Sequence, residues 1–257
     1  SATERKTEYF NWMITADFHA KELRLYDLGQ LFVHRYRELR QLLRREQLGI
    51  SKKRMLAGLG MQVVMTLVLL ADDAFTFLLC WEFMSLASWA LVMAQHRNPE
   101  NSRAGYIYLL MASFGTLALL LAFGLLSGPA GDYGFAAIRV AEHGALSAAL
   151  VLGFVLIGAG SKAGLVPLHV WLPLAHPAAP SHVSALMSGA MTKVAVYGFI
   201  RIVFDLLGAP EWWWGLIVLG VGGATAVLGV LYALMQSDIK RVLAYSTIEN
   251  IGFIFVG

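Results

Sequence analysis

The pattern of apolar and polar residues along this chain changes near residue 55. Before that point, apolar residues recur at three-and-four spacing: Phe18, Leu25, Leu28, Phe32, Tyr36, Leu39 and Leu43. This period is typical of an amphipathic helix, and it predicts helix within residues 8–48 with an arginine-rich polar face. Such a helix either lies in solvent on the cytoplasmic side or binds an anionic membrane surface, and the pattern leaves both open.

From residue 55 onward, the chain is a series of apolar runs separated by short polar segments. Each run has roughly the 17–25 residues with which a helix crosses a bilayer. The runs lie near 55–71, 74–94, 104–126, 146–171, 183–206, 214–235 and 241–257. They predict an all-α, polytopic membrane helix bundle of about six or seven spans. This transmembrane domain covers residues 57–257, and because its last run continues to Gly257 we expect it to be truncated.

Composition and charge predict where the protein resides and how its spans are oriented in the membrane. Hydrophobic residues make up 58% of the chain, and its mean hydropathy is +0.62, as expected for an integral membrane protein. Residues 1–54 carry 12 Lys/Arg against 7 Asp/Glu, whereas residues 55–257 carry 8 against 10. The Lys/Arg clusters at 52–54, 97–103 and 240–241 fall on one side if the spans alternate, which assigns that side to the cytoplasm. We therefore expect a multi-pass protein of the inner membrane, with residues 1–56 on its cytoplasmic side.

Several kinds of chemistry have no residues to support them. The single cysteine, Cys80, lies within an apolar run, so neither a disulfide framework nor a cysteine metal site is expected. The sequence holds no GxxxxGK[ST] phosphate loop and no GxGxxG that opens a soluble helix. We expect no cofactor, no metal, no nucleic-acid partner and no catalytic centre within this chain.

The fourth run carries an unusual number of prolines. Pro167, Pro173, Pro177 and Pro180 lie within SKAGLVPLHVWLPLAHPAAPSH, and each removes a backbone donor. Non-helical backbone at membrane depth is tolerated only inside protein or beside a water-filled cavity. The pattern predicts a span that is broken beside a hydrated interior, with a short re-entrant loop as the alternative.

Glu82, Lys162 and Lys193 lie well inside predicted spans. A charged side chain in hydrocarbon is costly, so it usually faces a bundle interior or water. Glu82 either pairs with an ammonium group or stays neutral and hydrogen-bonded to a neighbouring helix. Tyr197, one turn after Lys193, is a candidate hydroxyl partner for that lysine. Together these residues suggest a path for protons or cations.

Three histidines and two further charged residues extend this set. His169 lies seven residues after Lys162, on the same face if the helix is unbroken, and is either a proton relay or a neutral core residue. His176 and His182, near the predicted surface, are either path residues or loop residues. Glu249 lies in the last run. Lys240 lies at the cytoplasmic mouth of that run, where it is either a membrane anchor or a path entrance.

Residues 62–257 resemble the antiporter-like, proton-translocating membrane subunits of complex I, multisubunit cation/proton antiporters and membrane-bound hydrogenases. The segments that carry the resemblance are DDAFTFLLCWEFMSLASW, SKAGLVPLHVWLPLAHPAAPSHVSALMSGAMTKVAVYGFIRI and SDIKRVLAYSTIENIGFI. The ENIG at 249–252 is most like the hydrogenase-4 and formate-hydrogenlyase branch. The resemblance implies proton transfer through Lys162 and Lys193, with Glu82 tuning Lys162. It also implies partner subunits in a hydrogenase or complex I-like assembly.

Residues 1–56 resemble a different family. AKELRLYDLGQLFVHRYRELRQLLRREQLG is similar to a cytoplasmic helical loop of an ABC exporter transmembrane domain. The sequence therefore leaves four hypotheses. The chain is a proton-translocating subunit of an oxidoreductase complex, a secondary cation/proton antiporter subunit, an ABC exporter fragment, or a non-functional chimera.

Overall fold

The computed structural model of this chain describes residues 2–16, 25, 29–95, 98–128 and 131–257. The chain divides into two compact units, Ser1–Leu56 and Ala57–Gly257. The secondary-structure elements of the described residues are helices, without strands, which confirms the predicted all-α class.

The first unit contains α1 (Ala2–Thr15) and residues 29–56 of α2 (Gly29–Leu70). The rings of Phe10 on α1 and Phe32 on α2 lie 5.4 Å apart. On α2, four members of the predicted stripe are partly buried: Phe32, Tyr36, Leu39 and Leu43. Leu25, by contrast, is exposed. Phe18 and Leu28 of the same stripe lie outside the described residues.

The second unit holds the remaining helices. They are residues 57–70 of α2, α3 (Ala74–Val92), α4 (Pro99–Leu126), α5 (Phe135–Val140), α6 (Ala145–Ala163), α7 (Leu172–Ala178), α8 (Ser181–Leu186), α9 (Thr192–Ile200), α10 (Trp212–Leu234) and α11 (Ile239–Val256). Two π-helical segments, Met187–Met191 and Arg201–Leu206, continue α8 and α9 into one helix over Ser181–Leu206.

Five stretches of the described residues are long and apolar enough to cross a membrane. They are Ala74–Val92, Pro99–Leu126, Ala145–Ala178, Ser181–Leu206 and Trp212–Leu234. The first and last predicted runs are helical but fall outside this group. Met55–Leu70 is shorter than the others, and Ile239–Val256 carries Lys240, Arg241 and Glu249 within 18 residues.

The predicted break in the fourth span is present and begins before the prolines. Helix α6 ends at Gly164, whose φ of 91° places it in the left-handed region that favours glycine. The Gly164 N–H donates to the carbonyl of Gly160 at 2.9 Å. A 3₁₀ turn over Leu168–Trp171 then leads into α7. The polypeptide therefore leaves helical geometry directly after Lys162.

Residues at one end of the spans form a polar cluster. The Arg139 guanidinium binds Asp205 with two hydrogen bonds of 2.8 and 2.9 Å, and Arg201 contacts the same carboxylate at 3.0 Å. Asp73 caps α3 by accepting from the Thr76 N–H at 2.8 Å. Hydrogen bonds from Thr76 hold the pKa of the Asp73 carboxyl below its ordinary value. Arg201 also contacts Asp72, which precedes α3, at 3.8 Å. The arginines therefore connect α5, Arg201–Leu206 and the segment that leads into α3 at that end.

Helices α10 and α11 pack closely because small residues face each other. A Cβ placed on Gly252 would meet backbone atoms of Ala226 and Gly222, and one on Gly229 would meet the backbone of Glu249. Small residues that allow helix backbones to approach are a common packing device in membranes. This contact fixes the position of Glu249 through its backbone.

Candidate functional site

Lys162 lies on the last turn of α6 and is buried, with 3% of its surface exposed. Its ammonium group donates a hydrogen bond to the Ser85 hydroxyl on α3. The same nitrogen lies 5.0 Å from the ring centroid of Trp81, within the range of a cation–π contact. Ser85 and Trp81 are themselves fully buried. The lysine that sequence analysis singled out is therefore enclosed by neutral groups.

Glu82 lies on α3 between those two residues and is partly buried. Its Oε2 accepts a hydrogen bond of 2.6 Å from the Thr116 hydroxyl on α4. Glu82 lies three residues before Ser85, so both residues lie on one face of α3. Among the described residues, however, the ion pairs within 4 Å do not include Glu82 and Lys162. The structure brings the two predicted partners into one site and gives each a hydroxyl partner.

Aromatic side chains and hydroxyls surround this site. The Ser88 and Tyr108 hydroxyls share a hydrogen bond, and the Tyr108 ring packs against Trp171 with 4.9 Å between centroids. The Trp171 indole N–H donates to the Ser161 carbonyl at 2.7 Å. Trp171 therefore fixes the last turn of α6, from which Lys162 projects, against the chain that follows the break.

Lys193 has a different environment from Lys162. Its side chain is exposed. Its ammonium group donates to the Ser188 carbonyl at 2.7 Å. Ser188 lies in the π-helical segment Met187–Met191, which leaves a carbonyl accessible to this lysine. The candidate partner Tyr197 instead donates to the Leu69 carbonyl at 3.0 Å.

Three candidate path residues line one cavity of about 420 Å³: His176, Lys193 and Lys240. Hydroxyl and amide groups also line it, from Ser181, Ser184, Ser188, Ser246, Thr247 and Asn250. The Lys240 ammonium donates to the Ala179 carbonyl at 3.1 Å and to the Pro177 carbonyl at 3.4 Å. A cation at the C-terminal end of a helix is favourable. Lys240 therefore fixes the end of α7 and also faces the cavity.

Among the described residues, the hydrogen bonds and ion pairs of Lys162 include none of the remaining candidates. The helix break separates His169 from Lys162, so they do not share an unbroken helix face. The His169 ring lies near the rings of Tyr232 and Tyr245, at 6.3 and 6.4 Å between centroids. His182 is exposed on α8, and Glu249 is partly buried on α11.

The partners of Lys162 and Glu82 were not predicted from the sequence: they are Ser85, Trp81 and Thr116. Ser85 follows Glu82 by three residues, a spacing that places both on one face of a helix, so this signal was available. Thr116 lies on another helix, and no local pattern connects it to Glu82. Among the described residues, no group of three His, Cys, Asp or Glu side chains is placed to hold a metal ion.

Comparisons with known proteins give this geometry a context. Residues 71–257 match the family model described as "NADH:quinone oxidoreductase/Mrp antiporter, TM". Hydrogenase-4 component B of Escherichia coli (strain K12) is 46% identical over 197 residues, which are 75% of this chain and 29% of that protein. NADH-quinone oxidoreductase subunit N of Sphingopyxis alaskensis is 34% identical over 203 residues, covering 78% of this chain and 42% of that protein.

A solved structure agrees with these relatives. A chain of the Mrp complex from Dietzia sp. DQ12-45-1b superposes with a TM-score of 0.67 at 30% identity, over 76% of this chain and 22% of that chain. This chain thus spans less than half the length of each of these proteins. The matched family region leaves out residues 1–56, and these comparisons do not support the resemblance of that segment to an ABC exporter loop.

Proposed function

Because the chain belongs to the NADH:quinone oxidoreductase/Mrp antiporter transmembrane family, we propose that it moves protons within a membrane-bound oxidoreductase complex. The complex we propose is a membrane-bound hydrogenase or an NADH-quinone oxidoreductase-like assembly in the inner membrane, with other membrane and peripheral subunits as partners. The similarity to hydrogenase-4 component B supports the hydrogenase, and the similarity to subunit N supports the alternative assembly.

The observation that carries this proposal is the environment of Lys162. A lysine that is 3% exposed, beside a break in a membrane helix, is costly to keep. If the neutral and charged forms of such a lysine are close in free energy, proton uptake and release need little driving force. An opposite charge nearby favours the charged form of an ammonium group, and Glu82 lies on the face of α3 that carries Ser85. A change in the distance between the two groups would thus change the lysine's proton affinity.

The cavity beside Lys193 supplies the second part of the proposal. It places His176, Lys193 and Lys240 around a volume of about 420 Å³ that has room for water. Hydroxyl and amide groups in its wall can order such water by hydrogen bonding. We assign this cavity to proton exchange with water and the enclosed Lys162 site to charge-controlled transfer. Glu249 and His169 are assigned to the continuation of the path, and His182 and Tyr197 to its surroundings.

The test is proton uptake in inverted membrane vesicles that contain the full-length protein within its complex. Glu82→Gln and Lys193→Ala each remove one proposed charge, and both are expected to reduce uptake by at least about tenfold. Glu100→Gln and Lys52→Ala are the matched controls, because both side chains are exposed. Normal uptake in both test variants would overturn the proposed roles.

A second function, secondary cation/proton antiport, is favoured by the similarity to a chain of an Mrp complex. It predicts sodium-dependent proton movement in vesicles without any electron donor. The oxidoreductase proposal predicts instead that proton uptake starts only when the donor is supplied. Measuring uptake with and without donor, at fixed sodium concentration, separates the two.

A further inference from the structure

We propose that Ser85 and Thr116 are positioning residues, whose hydroxyls bond Lys162 and Glu82 and hold these two residues apart. The two charged residues switch between this state and a state in which they contact each other. This inference rests on the proposed function and goes beyond it by naming the groups that stabilise the unpaired state. Lys162 donates to the Ser85 hydroxyl, and Thr116 donates to the Glu82 carboxylate. Each charged group thus has a neutral partner of its own.

The Ser85 hydroxyl is oriented to accept from the lysine. Its proton is directed to the carbonyl of Trp81, one turn earlier, at 3.0 Å. This leaves the oxygen lone pairs for the Lys162 ammonium, which has donors only. The Trp81 ring adds a cation–π contact to the same ammonium group. Ser85 and Trp81 therefore stabilise the charged lysine without introducing a second charge.

The alternative acceptor lies on the same face of α3. Glu82 and Ser85 are three residues apart, the spacing at which helix side chains become neighbours. Glu82 is therefore the acceptor that Lys162 reaches when it leaves Ser85. The exchange converts a neutral contact into an ion pair.

The exchange leaves neither hydroxyl without a partner. When Lys162 moves to Glu82, Ser85 keeps its bond to the Trp81 carbonyl. Thr116 lies 3.1 Å from the Ala112 carbonyl on its own helix, so its proton has a second acceptor when Glu82 is released. Burying an unsatisfied polar group is costly. Because both states satisfy both hydroxyls, their free energies can be similar, which a switch requires.

Replacement of Ser85 tests this proposal directly. Ser85→Ala removes the neutral partner of Lys162, so the lysine stays with Glu82 and proton uptake falls by about tenfold. That change corresponds to about 1.4 kcal/mol. Ser127→Ala is the control, because Ser127 is also buried and its hydroxyl bonds the Gly124 carbonyl at the end of α4 instead. Ser85→Thr restores a hydroxyl and is expected to recover most of the uptake.

A double-mutant cycle separates positioning from a general structural defect. If Ser85 acts through its exchange with Glu82, then Ser85→Ala causes little further loss of uptake in a Glu82→Gln background. Thr116→Val is expected to lower uptake in the same direction as Ser85→Ala. Thermal unfolding of each variant in detergent checks that the fold is retained.

The possible failures can be told apart. If Glu82→Gln and Lys162→Met leave proton uptake intact, the proposed function is wrong. If those variants lose uptake while Ser85→Ala behaves like Ser127→Ala, the proposed function stands and the positioning role is overturned. Loss of uptake in Ser85→Ala without recovery in Ser85→Thr would also overturn it.

Discussion

The surroundings of Lys162 and Lys193 differ although both lysines lie within apolar spans. Lys162 is enclosed beside a helix break, where its partners are the hydroxyl of Ser85 and the ring of Trp81. Lys193 is exposed on a cavity and bonds a carbonyl of a π-helical segment on its own helix. An enclosed ammonium depends on protein groups for its stability, whereas an accessible one can exchange with water. This difference supports the proposal that the first lysine controls charge and that the second exchanges protons with water.

Replacement of each lysine by methionine is expected to give the largest effects. Proton uptake should fall at least about tenfold in both variants. The free energy of unfolding should distinguish the two variants. Lys162→Met removes a buried charge, so it is expected to raise the free energy of unfolding by about 1 kcal/mol or more, while Lys193→Met should change it little. Thermal unfolding of the purified full-length protein checks this, and stabilisation of only the Lys193 variant would contradict the comparison.

Alanine substitution of a glycine near each lysine is expected to give the next largest effect on the free energy of unfolding. The effects at the two positions have opposite signs. Gly164 has a φ of 91°, so Gly164→Ala is expected to destabilise the fold by about 1–2 kcal/mol. Gly189 is helical and a Cβ there would meet nothing within 4 Å. Gly189→Ala is therefore expected to stabilise by about 0.5–1 kcal/mol. Thermal unfolding of the two variants side by side measures the difference, and equal shifts would contradict the assigned backbone conformations.

Replacement of Lys240, which lines the same cavity as Lys193, is expected to have a smaller effect on stability. Lys240→Ala removes the ammonium that bonds the carbonyls at the end of α7, and it should cost about 0.3–1 kcal/mol of stability. Lys240→Arg keeps the charge and should recover most of this loss. If Lys240→Ala leaves stability unchanged, while proton uptake falls, Lys240 acts on the path alone and does not fix the helix end.

Much of the fold could be predicted from the sequence because long apolar runs and prolines are local signals. The spans and the break in the fourth span both follow from such signals. The position of the break was harder to predict. It begins at Gly164, since a left-handed residue ends α6 before Pro167 is reached. The sequence pattern does not distinguish a glycine that ends a helix from one inside it.

The site could be predicted only in part. Charged residues are conspicuous in an apolar run, so Glu82, Lys162 and Lys193 were identified. Their immediate partners were not, because serine and threonine are common in membrane helices and carry no charge. Tyr197 was a candidate hydroxyl partner for Lys193, and in the structure the two side chains bond different carbonyls. The π-helical segment presents the Ser188 carbonyl to the lysine, and Tyr197 bonds Leu69 instead.

Thiol labelling tests the difference between the two lysines most directly. Cys80 is the single cysteine of this chain. A background in which Cys80 and every other cysteine of the full-length protein are replaced by alanine leaves only the introduced thiol. Lys162→Cys and Lys193→Cys are each placed in this background of the full-length protein and exposed to a water-soluble maleimide. The account predicts that the thiol at 193 reacts at least about tenfold faster than the thiol at 162, because buried thiols are inert. Equal rates, or faster labelling at 162, would contradict it.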